Sequence, residues 1–494
     1  MNNTHAPSGQ EARCPNCTGP ASVGRVAARP GQRQACTGPA RPTSYPVRVS
    51  IDAAAPGPLT VHTVEVASTD DLLQLLPADG ISWVRRGEGM IAWGEVARCH
   101  TLGAGRFDEA LLWWRRITRH ALVRDDVRLR GTGLIAFGSF SFADDAPSGG
   151  VLIVPRYVLG RLDGRTFFTV VSESADVDVT VEDALAGVVP TAGAGAGPTP
   201  KTGTRDLAHS PLPHVSIDPG DEASWNAAVA AAVLRIEAGE VDKVVLARAV
   251  EARADGPIDM RTVLARLSHD YDTCWTFHVD GMVGATPELL ARVDHGLVTS
   301  RVLAGTIRMT GDETADLARA AKLARSSKDR EEHSYAVRSV TQVLAAHCAS
   351  VNVPDEPSVL HLPNVMHLAT DITGALSSPV GVLDLVRELH PSAAVCGTPT
   401  LAAAQVIDEL EDLDRARYAG PVGWIGAAGD GEWCIALRSA ELDPHDPTRL
   451  RLFAGCGIVA ASDPDSEWAE SEAKLEPMRA ALGVTPVPPP PHSH

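Results

Sequence analysis

The sequence predicts a mixed fold of large sheets with helices at their periphery, in one continuous unit from about 46 to 484. Three observations carry this expectation. Short apolar runs with strand-type alternation recur along the chain. A few amphipathic helical stretches stand among them. No internal repeat of fixed period is present.

Taken in order, residues 1–45 are rich in Arg, Pro, Gly and Thr and carry no apolar core of a secretory signal, so they read as a disordered leader. Cys14 and Cys17 form a CxxC with Cys36 beyond it, but a zinc site needs a fourth ligand at matched spacing and the leader offers none. From Tyr45, VRVSIDAAAPGPLTVHTVEV alternates as a strand does, and a helix is expected from Ser68 to Leu76. GMIAWGEVARC, GLIAFGSFSF and GGVLIVPRYVLGRL read as strands and FDEALLWWRRITRHAL as a helix, so 46–186 is expected to be the antiparallel amino-terminal part of the fold. Residues 187–214 turn to Gly, Ala, Pro and Thr, which cannot bury enough apolar area to order themselves; they read as a linker or surface loop.

The region 215–484 opens on an amphipathic helix from Asp221 to Gly239, with Trp225, Val229, Val233 and Ile236 on one face. The strand VDKVVLARAVEAR follows. A second helical stretch is expected from about Thr314 to Ala349, and CWTFHV, GMVGA, GEWCIALRSAEL and RLRLFAGCGIVA read as strands. The tail, 485–494, ends in VPPPPHSH and is expected to be polyproline-like and disordered.

Composition bounds the function. The hydrophobic fraction of 44% and charged fraction of 21% over 494 residues, with mean hydropathy of -0.03, exclude disorder of the whole chain. No run of about 18 apolar residues is present, so no membrane-spanning helix is expected. With 44 basic against 62 acidic residues the net charge is -18, which lacks the basic footprint nucleic acid requires and would suit a metal cation holding an anionic substrate. The six cysteines from Cys99 to Cys456 sit singly, mostly in apolar contexts, as in a reducing cytoplasm.

Certain residues stand out chemically. Lys243 interrupts an apolar strand, on the face of Val241, Val245 and Ala247. It is either an edge-strand lysine whose ammonium reaches water or a lysine able to act as a base. In SSKDREEH, Asp329 and Glu332 are three apart on an expected helix; in SEWAESEAK, Glu467 and Glu470 repeat that spacing, with Lys474 one turn further. Each pair shares a helix face. They are either two solvated faces or, if opposed, an oxygen-rich cage for one divalent ion such as Mg²⁺. Gly305, Gly455 and Gly457 lie at expected strand ends, as turn glycines or as points where backbone N–H groups approach an anion. Arg438, in the strand CIALRSAEL, suits bidentate binding of a carboxylate.

Together these blocks resemble the chorismate-utilising enzymes, and among them the isochorismate synthases. GEVDKVVLAR, GATPELL, LAGTIR, SKDREEH, HLATDITG, GEWCIALR, FAGCGIV and SEWAESEAK occur in the family's order between about Asp221 and Gly483, and ISWVRRGEGMIAWG with FGSFSF resembles the looser amino-terminal part. The resemblance makes this an α+β fold, a single chorismate-binding unit with large antiparallel sheets at its centre and helices packed outside. It implies a reversible, Mg²⁺-dependent isomerisation of chorismate, in which water adds at C2 and the C4 hydroxyl leaves. It implies Lys243 as base and Glu288 as acid, whose work near neutral pH asks for opposed environments. It implies Glu332 and Glu470 as metal ligands, with Asp329 and Glu467 acting through water. Gly305, Tyr418, Arg438, Gly455 and Lys474 are implied for carboxylate binding, and His367 and Ala394 for the ring site.

Relatives separate by residue. Anthranilate synthases lack the lysine at the position of Lys243, and aminodeoxychorismate synthases carry a lysine where this chain has Ala304, so no glutaminase subunit is expected. Salicylate synthases, which go on to eliminate pyruvate, keep Lys243 and Glu288 and remain the alternative. HPSAAVCGTP resembles the synthases that stop at isochorismate, although Ala393 replaces the usual proline. A catalytically dead scaffold would be free to lose Lys243, Glu288, Glu332, Glu470 or Lys474, and all five are present. The chain is thus expected to be a cytoplasmic monomer supplying isochorismate for menaquinone or siderophore biosynthesis.

Overall fold

A computed structural model of the chain describes residues 57–67, 70–174, 177, 179–186 and 206–484. The leader with Cys14, Cys17 and Cys36, the start of the first expected strand, most of the 187–214 segment and the tail lie outside the described residues. Among the described residues no helix is long and apolar enough to cross a membrane.

The strands form one hydrogen-bonded network, almost wholly antiparallel. In its amino-terminal part Glu88–Thr101 pairs with Gly150–Leu162, which pairs with Arg165–Ser172, which pairs with Thr60–Glu65. One pairing departs from the rule: Thr60–Glu65 runs parallel to Leu122–Asp125.

Two routes lead from this part into the rest. By one, Ile135–Phe140 pairs with Pro421–Gly426 and onward through Gly431–Ile435, Leu289–Asp294 and Leu297–Arg308 to Val365–Leu376. By the other, Ile81–Arg85 pairs with Trp275–Val279 and onward through Met282–Thr286, Ser439–Asp443 and Asp446–Ile458 to Lys243–Ala254. Strands covered on both faces read as continuous apolar runs, which is why GEWCI and PVGWIG are buried at every position.

Helices cover the outside. Arg106–His120 has Asp108 and Glu109 in its first turn and Arg119 and His120 in its last, matching the helix dipole, and buries Phe107, Leu111, Trp114 and Ile117. The expected Asp221 helix is Glu222–Glu237, capped by the Asp221 carboxylate, with Trp225, Val229 and Ala232 buried.

Four expectations are corrected. Of the helix expected from Ser68 to Leu76, the described residues 70–76 form only a short 3-10 turn, Leu72–Leu75. The stretch from Thr314 to Ala349 is two helices, Glu313–Arg325 and Ser327–His347, because Ser326 takes an extended conformation and its hydroxyl caps the second at the Asp329 N–H. Arg438 lies in no strand: it sits between Gly431–Ile435 and Ser439–Asp443 at φ 48°, in left-handed backbone that re-aims its side chain. Gly305 lies inside Leu297–Arg308 rather than at a strand end, at φ 76° where the register against Val365–Leu376 shifts, a bulge that asks for glycine.

Candidate active site

A recess of about 580 Å³, mouth included, opens among the carboxyl-terminal strands. Glu288, Gly305, Glu332, His367, Ala394, Tyr418, Arg438, Gly455 and Lys474 line it. Lys243, Asp329, Glu467 and Glu470 do not; they stand behind the lining.

Lys243 is fully buried. Its strand pairs with Asp446–Ile458 on one side and, at Lys243 and Val244, with Gly397–Thr398 on the other, so the edge-strand reading fails. Its Nζ lies 3.2 Å from Glu332 Oε1 but off any hydrogen-bonding direction, which leaves a buried lysine nitrogen beside one carboxylate with no aligned acceptor. Gly457 makes room for this pair, since a Cβ there would overlap Glu332 Oε1 and come within 3.0 Å of Lys243 Cε.

Glu288 follows Met282–Thr286 and precedes Leu289–Asp294, with its carbonyl bound to the Ile435 N–H at 3.2 Å. Burial pushes its carboxyl up to about 8 against the opposing pull of Lys243, so it is protonated at neutral pH. A buried acid that holds its proton thus lies within the electrostatic influence of a buried lysine.

The other cations are arranged for anions. Arg438 donates through Nη2 to His367 Nε2 at 2.8 Å, while its Nε has no partner. Burial, then the Arg438 and Lys474 charges, hold His367 well below its usual range, so it is neutral. Accepting at Nε2, it carries its proton on Nδ1, near Gly305 O at 3.3 Å and Thr306 Oγ1 at 3.2 Å. Lys474 Nζ donates to Gly455 O at 2.8 Å. Tyr418 is stacked on Phe453 at 5.0 Å, and burial raises its hydroxyl to about 12, keeping it a neutral donor.

The two acidic pairs sit on the helices expected. Asp329 and Glu332 belong to Ser327–His347; Glu467 and Glu470 belong to Pro464–Ala481, which Asp463 caps. Donor atoms of Glu467 and Glu470 lie, with Cys456 Sγ, within 4.8 Å of one another. Glu332 and Asp329 stand outside that tight group. Three carboxylates carry a lysine each: Glu332 with Lys243, Glu467 with Lys328 at 2.7 Å, and Glu470 with Lys474 at 2.6 Å. Burial raises Glu467 to about 7, with Glu470 adding to it, whereas the Lys474 ammonium overcomes burial at Glu470 and brings it below its usual value. Hard carboxylate oxygens on two helices are a donor set that fits Mg²⁺.

Sequence reasoning missed Lys328, Thr306, and the pair Arg415 and Glu411. Lys328 adjoins Asp329 in the quoted block and Thr306 adjoins Gly305, so both were within reach. Arg415 gives no local signal. Its guanidinium donates to Val245 O at 2.6 Å, Val395 O at 3.0 Å and Glu411 Oε2 at 2.9 Å, and Glu411 accepts from the Ala247 N–H at 2.6 Å. One buried ion pair thereby fixes the Lys243 strand to the segment carrying Ala394.

Comparison with known proteins bears on the family and the fold. Residues 81–483 match the family described as chorismate binding enzyme. The isochorismate synthase MenF of Bacillus subtilis is 33% identical over 76% of this chain and 81% of its own length. The isochorismate synthase EntC of Escherichia coli K12 is 38% identical over 53% of this chain and 68% of its own. Among solved structures, the menaquinone-specific isochorismate synthase MenF of Escherichia coli superposes with a TM-score of 0.68 at 26% identity, covering 87% of this chain and 95% of that one. Anthranilate synthase component I of Streptococcus pneumoniae, at 21% identity and a TM-score of 0.60 over 79% and 91% of the two chains, shares the fold. The chain belongs to the chorismate binding enzyme family.

Proposed function

We propose that the chain is an isochorismate synthase, converting chorismate reversibly to isochorismate by adding water at C2 and releasing the C4 hydroxyl. The observation that carries the reading is the buried pair of opposite character: Lys243 without an aligned acceptor and Glu288 with its proton retained. In this mechanism Lys243 takes a proton from the attacking water and Glu288 gives one to the departing hydroxyl; in reverse the roles exchange. Arg438, with its unpartnered Nε, and Lys474 receive the substrate carboxylates, with Gly305, Gly455 and Tyr418 lining that end and His367 orienting Arg438. Ala394 leaves space for the ring.

Glu332 and Glu470 would hold Mg²⁺, with Asp329 and Glu467 behind them through water. When bound, the ion supplies charge balance for a substrate carboxylate facing these acids. The isochorismate would serve menaquinone or siderophore building, the two uses that the names of relatives carry.

The test is turnover in both directions by Lys243→Ala and Glu288→Gln. Each variant is expected to lower kcat by about 10²- to 10⁴-fold in either direction while leaving chorismate Kd within about threefold. Wild-type kcat with weakened binding in Lys243→Ala would make the lysine an anion anchor and remove the proposed base.

A further inference from the structure

Glu288 sits where two connections meet, one leading from Met282–Thr286 into Leu289–Asp294, the other from Gly431–Ile435 into Ser439–Asp443. Main-chain bonds run between them: the Ala285 N–H donates to Arg438 O at 3.2 Å and the Ile435 N–H to Glu288 O at 3.2 Å. Thr286 adds a side chain to these bonds. Fully buried, its hydroxyl donates to Ile435 O at 2.7 Å and accepts the Glu288 N–H at 3.3 Å. Donor and acceptor of one hydroxyl are both used, and they close a ring of hydrogen bonds through Thr286, Ile435 and Glu288.

This ring governs how Glu288 is presented. Pro287, between the two residues, has a fixed φ, and the N–H and the carbonyl of Glu288 are both tied, so little backbone freedom is left at the acid. Its carboxyl then receives the Leu303 N–H and feels the charges of Lys243, Arg438 and Lys474, each from a different part of the fold. The Cys434 thiol, pushed up by its own burial, also stands near it. Valine has the shape of Thr286 without the hydroxyl. It would leave the buried Glu288 N–H without that acceptor, and a buried donor so left draws its chain toward water.

We propose that Thr286 is a positioning residue for Glu288, a role that rests on the reading of Glu288 as the acid: its hydroxyl holds the Glu288 carboxyl in the recess, where the departing hydroxyl of the substrate must be met. Arg438 depends on Thr286 less. The Ala285 N–H holds its carbonyl, and its guanidinium is held by His367 at 2.8 Å.

Turnover of chorismate across pH tests this. Thr286→Val should lower kcat by about tenfold to a hundredfold with KM within about threefold. It should also move the basic limb of kcat/KM down by about one pH unit or more, as the freed carboxyl reaches water and returns toward its ordinary range. Thr286→Ser, which keeps the oxygen, should hold kcat within about threefold of wild type and keep the wild-type limb. Thr286→Ser against Thr286→Ala, which differ only in that oxygen, makes the same comparison where valine unfolds the chain.

A second readout needs no turnover. Urea unfolding of the wild type, Glu288→Gln, Thr286→Val and the double variant at about pH 5 and about pH 8 reads the acid in the folded chain. The stability that Glu288→Gln gains over its parent between the two pH values should shrink by about a third or more in the Thr286→Val background. An undiminished gain there, a kcat loss in Thr286→Ser equal to that in Thr286→Val, or a KM that rises as far as kcat falls would each overturn the proposal. A protein that turns over no chorismate would fail the proposed function, and the unfolding series would still show whether the Thr286 hydroxyl holds Glu288.

Discussion

At the scale of single residues, Glu288 carries a conflict that can be measured. Its carboxyl is held near 8 by burial, whereas in the unfolded chain it titrates in the ordinary carboxylate range. Below that range both states hold the proton and nothing is lost. As pH rises toward 8 the unfolded chain ionises while the folded one cannot, so the native state loses stability through that window. Glu288→Gln should therefore be more stable than wild type at pH 8 by on the order of a few kcal/mol, with the advantage fading toward pH 4, in urea unfolding at both values. In the same account kcat/KM for chorismate falls as pH passes about 8, because the acid has lost its proton. A wild-type rate still climbing at pH 9 would contradict that role. Gly457→Ala should inactivate without unfolding, since its methyl group meets Glu332 and Lys243 rather than the core.

The residue types were legible from sequence, and their surroundings were not. Lys243 stood out as a polar interruption, yet alternation cannot say whether a strand has a neighbour on its second side. The register with Gly397–Thr398, roughly 150 residues away, decides that. Arg438 was identified as a basic group facing an anion, but its left-handed backbone arises from a strand break that no local pattern marks.

At the scale of elements, the candidate site depends on how helices and strands are pinned together. Arg415 and Glu411 are the clearest case, a buried pair joining the Lys243 strand to the segment of Val395. Removing one partner strands a buried charge, so Arg415→Met should cost about 3–5 kcal/mol in denaturant unfolding, while replacing both with apolar residues should cost much less. Equal losses in the single and double variants would mean the pair is not the pin. The acidic pairs are also an element-scale feature, one pair on each of two helices. Chelation should abolish turnover reversibly, and Glu470→Gln should raise the Mg²⁺ concentration needed for half-maximal rate by about tenfold or more. Full activity in excess chelator would refute the cage. The helical spacing of these acids was legible because it is a local signal, whereas the start of the first helix at the Ser326 cap was not read. Of the lysines on three carboxylates, Lys474 was legible one turn beyond Glu470, whereas Lys243 on Glu332 and Lys328 on Glu467 are brought together only by the fold.

At the scale of the whole molecule, antiparallel strands bring segments from both ends of the family match into one network. Local alternation indicated strands and turns, while the α+β class came with the family resemblance. Alternation could not indicate that Ile135–Phe140 pairs with Pro421–Gly426. Such a meeting depends on long-range pairing, which leaves no mark on neighbouring residues. On the proposed reading Lys243 is the base and Glu288 the acid, and the reaction they would carry is a water addition. The direct test is to run the purified protein with chorismate and Mg²⁺ in H₂¹⁸O and resolve the products by mass. The predicted result is isochorismate carrying one ¹⁸O at C2, in equilibrium with chorismate that gains ¹⁸O at C4 on the return, with little pyruvate. Unlabelled isochorismate, or stoichiometric pyruvate with salicylate, would contradict it.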